Sequence, residues 1–71
     1  MTRIPVKSSD IESVGYEGST LEIQFHGGGI YQYFNVPEFI YIGLMCASSY
    51  DKYFRAYIKD KYISRKIRLV T

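Results

Sequence analysis

The alternation of apolar and polar residues predicts strands in the first half of the chain. The segment 21–25 reads Leu-Glu-Ile-Gln-Phe, which is the period-two pattern of a strand with one buried face. The segment 11–16 alternates less regularly and predicts a shorter strand, and the segment 30–34 is rich in residues that favour strands. Glycine-containing turns separate the three segments. The pattern therefore predicts a three-stranded antiparallel β-meander.

Two helices are predicted after the meander. Pro37 and Glu38 are typical of a first helical turn, and we expect the first helix to cover residues 37–47. Ser48 or Ser49 can cap a second helix with its hydroxyl group, and the helical period is clear from Tyr50 onwards. The expected fold class is α+β, a three-stranded antiparallel meander followed by two α-helices packed on one face of the sheet.

The second helix is predicted to be amphipathic. Its apolar residues recur at helical spacing on one face, which we expect to lie in the core: Tyr50, Tyr53, Phe54, Tyr57 and Ile58. Basic residues recur on the opposite face at spacings of three and four: Lys52, Arg55 and Lys59. This basic face has two interpretations, namely a solvated helix surface or a surface that contacts phosphates.

The first helix is apolar on more sides than packing on a sheet requires. Between residues 39 and 47 every residue is apolar or glycine, whereas a helix on a sheet needs only an apolar stripe. Phe39, Ile42 and Cys46 remain on the flank when the sheet-facing side consists of Ile40, Gly43, Leu44 and Ala47. This flank predicts contact with the tail or with a second protein molecule.

Charge is distributed unevenly along the 71 residues, although the formal net charge is only +2. Residues 1–51 contain two basic and six acidic residues, whereas residues 52–71 contain seven basic residues and one acidic residue. A cationic segment of this kind attracts phosphates. Its predicted phosphate contacts are Lys52, Arg55, Lys59, Arg65 and Lys66. The tail, residues 63–71, is expected to be either a loose basic arm or an extra strand.

Composition argues against several classes of function. A single cysteine and a single histidine cannot fill a structural zinc site, so no metal and no cofactor are expected. Cys46 lies in an apolar helix without the neighbouring cation that a catalytic thiolate needs, and no nucleophile motif accompanies His26 and its three glycines. We therefore expect no enzyme activity. The sequence lacks an apolar stretch that could span a bilayer, which predicts a cytoplasmic protein without membrane contact.

Tyr31 and Tyr33 lie on one face of the third predicted strand, and two interpretations remain open for them. Their rings can provide a stacking platform for nucleobases, as on RNA-binding sheets. They can equally belong to the core, because one sheet face must pack under the helices. The core interpretation is the better supported of the two by the pattern alone.

Taken together, the chain resembles the KTSC domain, a family of stand-alone small proteins that is also found at the C-terminus of some lysyl-tRNA synthetases. The resemblance covers 1–71 as a single domain and is carried by Ser9, Gly15, Tyr16, Leu21, Phe25, Gly29, Tyr31, Tyr33, Val36, Pro37, Ala47, Ser49, Tyr53, Phe54, Ile58 and Tyr62. It implies a β-meander followed by helices, and the synthetase fusions imply RNA as a partner.

Four residues depart from the pattern of that family. Asp51 stands where glycine is frequent, Arg55 stands where asparagine is frequent, and Phe39 and Ile42 replace acidic residues. The expected function is a non-catalytic binding module that contacts the phosphate backbone of a tRNA-like RNA. The alternative is a protein-interaction or homodimerisation module that uses the apolar flank of the first helix.

Overall fold

A computed structural model describes residues 1–68 of the chain. In chain order its elements are β1 (Ile4–Pro5), β2 (Ile11–Glu17), β3 (Thr20–Phe25), β4 (Gly29–Tyr33), α1 (Glu38–Cys46), α2 (Tyr50–Tyr57) and β5 (Ser64–Arg68). The strands form one sheet in the order β1-β2-β3-β4-β5, and every neighbouring pair is antiparallel. The predicted α+β class is confirmed.

The predicted three-stranded meander corresponds to β2, β3 and β4, but the sheet has five strands, so the predicted strand number is wrong. Strand β1 contains only two residues, and it pairs Ile4 with Val14 and Pro5 with Ser13. Its proline has no N–H group to donate to a neighbouring strand. A strand this short leaves no alternation in the sequence, and the hydrophobic pattern therefore missed it.

Strand β5 returns the chain to the sheet after the helices and pairs with β4. Of the two structures considered for the tail, residues 64–68 adopt the extra strand, and residues 69–71 lie outside the described part of the chain. The sequence of β5 is Ser-Arg-Lys-Ile-Arg, in which cations occupy both faces. The pairing partner β4, rather than an amphipathic pattern, makes this segment a strand.

Both helices cover the same face of the sheet, as predicted. Tyr41 of α1 stacks on Tyr16 of β2 with ring centroids 4.7 Å apart, and Phe54 of α2 meets Tyr33 of β4 edge-on at 5.7 Å. Tyr16 and Tyr33 are both directly opposite Leu21 in the strand register, so they point to one face. The buried core under the helices consists of Ile11, Val14, Leu21, Ile23, Tyr33, Val36, Leu44, Phe54 and Ile58.

A polar network lies on the opposite face of the sheet. Arg3 forms an ion pair with Glu22, whose side chain is only 6% exposed. Arg3 Nε also donates a hydrogen bond to Ser13 Oγ at 3.1 Å, and Gln32 Nε2 donates to Glu22 Oε1 at 2.9 Å. The chain also crosses close over Gly15, where a Cβ atom would lie 2.8 Å from the Thr2 carbonyl oxygen. These contacts hold the N-terminal segment on the sheet.

The start of the second helix agrees with the prediction, but the position of one of its rings does not. Ser49 caps α2, because its Oγ accepts a hydrogen bond from the Lys52 backbone N–H at 3.3 Å. Phe54 and Ile58 are buried as expected. Tyr57 was predicted to lie in the core and is instead 54% exposed, because its ring packs against Tyr53 at 4.7 Å and not on the sheet. Neither α1 nor α2 is long and apolar enough to cross a membrane.

Candidate functional site

An open cleft lies on the helix-covered side of the molecule, where α2 and the turn after it meet β4 and β5. Its volume is about 510 Å³, which is within the range of small-ligand sites, about 300–1,000 Å³. The floor is aromatic and aliphatic, and the rim is polar and charged. The lining residues are Asp10, Ile11, Phe25, His26, Tyr31, Tyr33, Asp51, Phe54, Arg55, Lys59, Asp60 and Ser64.

The Tyr33 hydroxyl is the most buried polar group of the cleft. Tyr33 as a whole is 6% exposed, and no hydrogen bond joins its hydroxyl to another residue in the range 1–68. Since residues 1–68 contain no fully buried side-chain oxygen without a partner, the hydroxyl must reach solvent, and Tyr33 is one of the residues that line the cleft. Burial, then the neighbouring Tyr31 and Asp60, raises the pKa of Tyr33 to about 12, so this hydroxyl keeps its proton.

Both tyrosines of β4 take part in core packing. The ring of Tyr31 lies 6.5 Å from that of Tyr33 in a stacked arrangement and 5.8 Å from Phe25, edge-on. The ammonium group of Lys66 lies over the Tyr31 ring, 5.7 Å from its centroid, in a cation–π contact. Tyr33 therefore belongs to the core, and Tyr31 is half-buried at its margin, where it lines the cleft.

Two of the five predicted phosphate contacts line this cleft, and a third lies over the ring of a lining residue. Arg55 and Lys59 line it, and Lys66 joins them through its position over Tyr31. Lys52 is exposed but lies outside the lining residues. Arg65 is opposite Gln32 in the strand register, so it points to the other face of the sheet from Lys66. Lys52 and Arg65 therefore lie outside the cleft, one on α2 and the other on the opposite face of β5.

Carboxylate groups lie close to these cations in the cleft. The sequence analysis did not predict this proximity. Asp10 Oδ2 lies 3.7 Å from Arg55 Nη1, and both of these side chains are largely exposed. Asp60 occupies the left-handed region with φ 61°, a conformation that aspartate tolerates better than most residues, and it turns the chain from α2 towards β5. His26, in the hairpin turn after β3, lies 3.6 Å from Glu12. The cleft therefore presents both signs of charge.

Asp51 fastens the segment before β2 to the first turn of α2. Ser8 Oγ donates a hydrogen bond to Asp51 Oδ1, Ser9 Oγ donates to Oδ2 at 2.7 Å, and Ser8 Oγ accepts from the Ile11 N–H at 3.1 Å. The hydrogen bond from Ser8, aided by Ser9, the Asp10 backbone and the charge of Arg55, lowers the pKa of Asp51 although partial burial opposes the shift. The departure from the family pattern at Asp51 therefore has a structural role.

We expect the substitution Asp51→Asn to destabilise the fold by about 1 kcal/mol at about pH 7, because it removes a charged acceptor of two hydroxyl groups in a partly exposed place. A carboxyl with a lowered folded-state pKa stabilises fully above its ordinary pKa of 3.8 and loses this contribution as the pH falls through the lowered value. Urea unfolding at about pH 7 and about pH 3 measures both effects.

The matched control for Asp51→Asn is Glu17→Gln at the exposed end of β2, where we expect a change within about 0.5 kcal/mol at both pH values. The difference between wild type and Asp51→Asn is expected to shrink at the lower pH. An equal difference at both pH values would contradict the role assigned to the carboxylate charge.

The flank of α1 lies away from the cleft. Phe39 is 71% exposed and Ile42 is 50% exposed, and Cys46 is exposed as well. Leu44 on the other side of the helix is completely buried. The prediction that α1 has one buried side and one exposed apolar flank is therefore confirmed. Within residues 1–68, no cluster of three His, Cys, Asp or Glu side chains is arranged to hold a metal ion.

The fold defines a small α+β domain in which a five-stranded antiparallel sheet carries two helices on one face. The family model of the KTSC domain matches residues 7–62. The chain therefore belongs to the KTSC domain family, as the resemblance indicated.

Solved and curated relatives agree with this assignment. The crystal structure of a KTSC domain protein from Yersinia pestis is 46% identical and superimposes with a TM-score of 0.91, covering 93% of this chain and 96% of that one. A protein of Tsukamurella paurometabola is 33% identical over 82% of this chain and 90% of its own length. An uncharacterised protein of Stutzerimonas stutzeri is 33% identical over 87% of this chain and 90% of its own length.

Proposed function

We propose that the chain is a non-catalytic binding module that contacts the phosphate backbone of a tRNA-like RNA through α2 and β5. The observation that carries the proposal is that Arg55 and Lys59 line one cleft, and that Lys66 of β5 lies over the ring of Tyr31, which lines the same cleft. Clustered cations release condensed counterions when they contact phosphates, which drives binding. The resemblance to a domain fused to lysyl-tRNA synthetases makes RNA the first ligand to test.

Two further cations extend this rim in opposite directions. Lys52 lies one helical turn before Arg55 and is exposed, so a backbone that reaches Arg55 can continue along α2. Arg65 points to the other face of the sheet from Lys66, but β5 is the last strand in the sheet order. A nucleic-acid strand that follows this edge can reach both side chains. Because Arg65 points away from the cleft and Lys59 lines it, we expect Arg65 to contribute less to binding than Lys59.

The acidic residues of the cleft do not prevent such contacts. Asp51 is engaged by two serine hydroxyl groups, and Asp10 lies near Arg55. Contacts between exposed charges of this kind are worth little, about 0–1 kcal/mol, so a phosphate can compete for Arg55. Lys59 has no salt bridge to another residue in the range 1–68. We therefore expect Lys59 to make the largest single contribution to phosphate binding.

The proposal is tested by titrating fluorescently labelled tRNA with the protein and following its fluorescence anisotropy. We expect binding in the micromolar range at about 50 mM salt that weakens steeply as salt is added. A duplex DNA of random sequence is the comparison ligand, and tighter binding of the tRNA is expected. A folded protein that binds neither ligand at about 50 mM salt would overturn the proposal.

A second candidate function is homodimerisation through the flank of α1. Phe39, Ile42 and Cys46 form an exposed apolar stripe on one helix, and a two-fold axis would bring each stripe against its copy. A single nine-residue helix offers less surface than the 1,200–2,000 Å² buried in typical stable interfaces, so the dimer is expected to be weak, with a dissociation constant of roughly 10 µM or more.

The prediction for this candidate is that Phe39→Glu abolishes self-association, because a charge at the centre of an apolar contact cannot be desolvated without a partner. Size-exclusion chromatography with light scattering, from about 10 µM to about 500 µM protein, measures the molar mass. Glu17→Lys, which also alters a surface charge but lies outside α1 and its apolar flank, is the control and is expected to dimerise as the wild type does. A wild-type monomer throughout this range would remove the candidate.

A further inference from the structure

Tyr33 lines the cleft, and its hydroxyl group has no hydrogen-bond partner among residues 1–68. Tyr33 is 6% exposed, its ring packs on Phe54, and its hydroxyl opens into the cleft. Because no fully buried side-chain oxygen among residues 1–68 lacks a partner, this hydroxyl is in contact with solvent. Here the tyrosine O–H is available as a donor to a ligand at the bottom of an aromatic cleft.

We propose that the cleft binds one unpaired nucleotide, whose base lies on the aromatic floor and accepts a hydrogen bond from Tyr33 while its phosphate contacts Arg55 and Lys59. This inference deepens the proposed function, on which the choice of a nucleotide within an RNA chain rests. Unpaired bases are the parts of RNA that proteins recognise by stacking and by hydrogen bonds to base edges.

The floor of the cleft favours a planar ligand. Phe25, Tyr31 and Phe54 line it beside Tyr33, and the rings of Phe25 and Phe54 meet edge-on at 5.4 Å. Base–aromatic contacts of this kind tolerate every base, because each base has a π face. Lys66 over the Tyr31 ring adds a cation that a base or its phosphate can approach.

The polar groups around Tyr33 suit the edge of a nucleobase. Ser64 pairs with Tyr33 in the strand register and lines the cleft, so the same cleft has a second hydroxyl group. Asp60 also lines the cleft and supplies an acceptor. A base edge presents carbonyl or ring-nitrogen acceptors next to N–H donors. The hydroxyls can thus serve the acceptors, and the carboxylate can serve a donor.

The charges on the rim disfavour a simple anion such as inorganic phosphate. Three carboxylates, those of Asp10, Asp51 and Asp60, stand among the lining residues together with Arg55 and Lys59. A small ion gains little in such a mixed field, because like charges offset the attraction of the cations. A nucleotide gains from the aromatic floor and the hydroxyl groups as well, so the cleft should prefer it to phosphate alone.

The test compares Tyr33→Phe, which removes only the hydroxyl oxygen, with Tyr57→Phe, which makes the same change on a tyrosine outside the cleft. The ligands are a short single-stranded RNA, the four mononucleotides and inorganic phosphate. Binding of each ligand is measured by heteronuclear NMR and fluorescence anisotropy. We expect Tyr33→Phe to weaken the RNA and at least one mononucleotide about 5- to 10-fold, and Tyr57→Phe to bind as the wild type does. Ser64→Ala is the second variant, and we expect it to weaken binding of the same ligands. It provides the test if Tyr33→Phe does not fold.

The outcomes separate this inference from the proposed function. The inference would be overturned if Tyr33→Phe, Ser64→Ala and wild type bind RNA with equal affinity and mononucleotides cause no NMR shifts at the cleft. Steep salt dependence of that RNA binding would still support the backbone contacts. Mononucleotide shifts at the cleft that are lost in Tyr33→Phe, together with no binding of RNA, would support the cleft site with a free nucleotide as its ligand and overturn the RNA function. Stronger shifts with phosphate than with any nucleotide would also overturn the inference.

Discussion

The substitution Leu44→Ala is expected to lower the free energy of unfolding by about 3 kcal/mol. Leu44 is 0% exposed and is the buried residue of α1, and truncating a fully buried leucine typically costs about 2–5 kcal/mol because it loses transfer free energy and leaves a cavity. A domain of 71 residues has a small stability margin, on the order of 5 kcal/mol. The variant is therefore expected to be close to the limit of folding at physiological temperature.

Ile42→Ala provides the matched control for Leu44→Ala. Ile42 lies two residues earlier in the same helix and is 50% exposed, so the same kind of truncation is expected to cost about 1 kcal/mol or less. Urea unfolding followed by circular dichroism gives both values from the midpoint and the slope. Equal destabilisation by the two substitutions would contradict the assignment of α1 to one buried side and one exposed flank.

Reversal of the three charges of α2 and its C-terminal turn, in the variant Lys52→Glu, Arg55→Glu and Lys59→Glu, is expected to weaken tRNA binding by roughly 100- to 1,000-fold at about 50 mM salt. The magnitude follows from counterion release, since each phosphate contact contributes about a factor of ten at this salt concentration. All three side chains are exposed, so the fold should tolerate the change.

Lys61→Glu is the control for this charge reversal. Lys61 is exposed and follows Lys59 by two residues, but it does not line the cleft. Comparison with the single substitution Lys59→Glu holds the change in net charge constant, and we expect Lys59→Glu to have the larger effect on affinity. Equal losses for the two variants would mean that net charge, and not the cleft rim, determines binding. Circular dichroism of each variant verifies that the fold is retained.

Segments with a clear period were predictable from the sequence alone. The alternation around Leu21 and Ile23 gave β3, and the helical spacing of Phe54 and Ile58 gave α2 and its buried face. Ser49 was predictable as a cap because its chemistry is local. In these segments the residues that specify the structure are neighbours in the chain.

The rest of the fold depends on pairings between distant segments. Residues 64–68 have no strand pattern and become β5 because β4 offers its edge. Arg3 and Glu22 are 19 residues apart and meet only when the N-terminal segment crosses the sheet. Such pairs leave no periodic signal, because the alternation of a strand reports which face is buried and not which segment lies beside it.

The candidate site was predictable in its charge but not in its shape. The basic character of residues 52–68 indicated phosphate contacts, yet the sequence could not place Arg65 on the other face of the sheet from Lys66. The role of the Tyr33 hydroxyl could not be predicted from the sequence for a different reason. Its ring belongs to the core, as the alternation indicated, and only the packing of α2 and the turn at Asp60 reveals that the hydroxyl opens into a cleft.

The central claim is that α2 and β5 contact an RNA backbone, and the salt dependence of tRNA binding tests it most directly. With five phosphate contacts, the logarithm of the association constant is expected to fall with the logarithm of the salt concentration at a slope of roughly −3.5 to −4.5, and the triple charge-reversal variant is expected to retain roughly −1.5. Tight wild-type binding with a flat salt dependence, or a slope that the triple variant leaves unchanged, would contradict the claim.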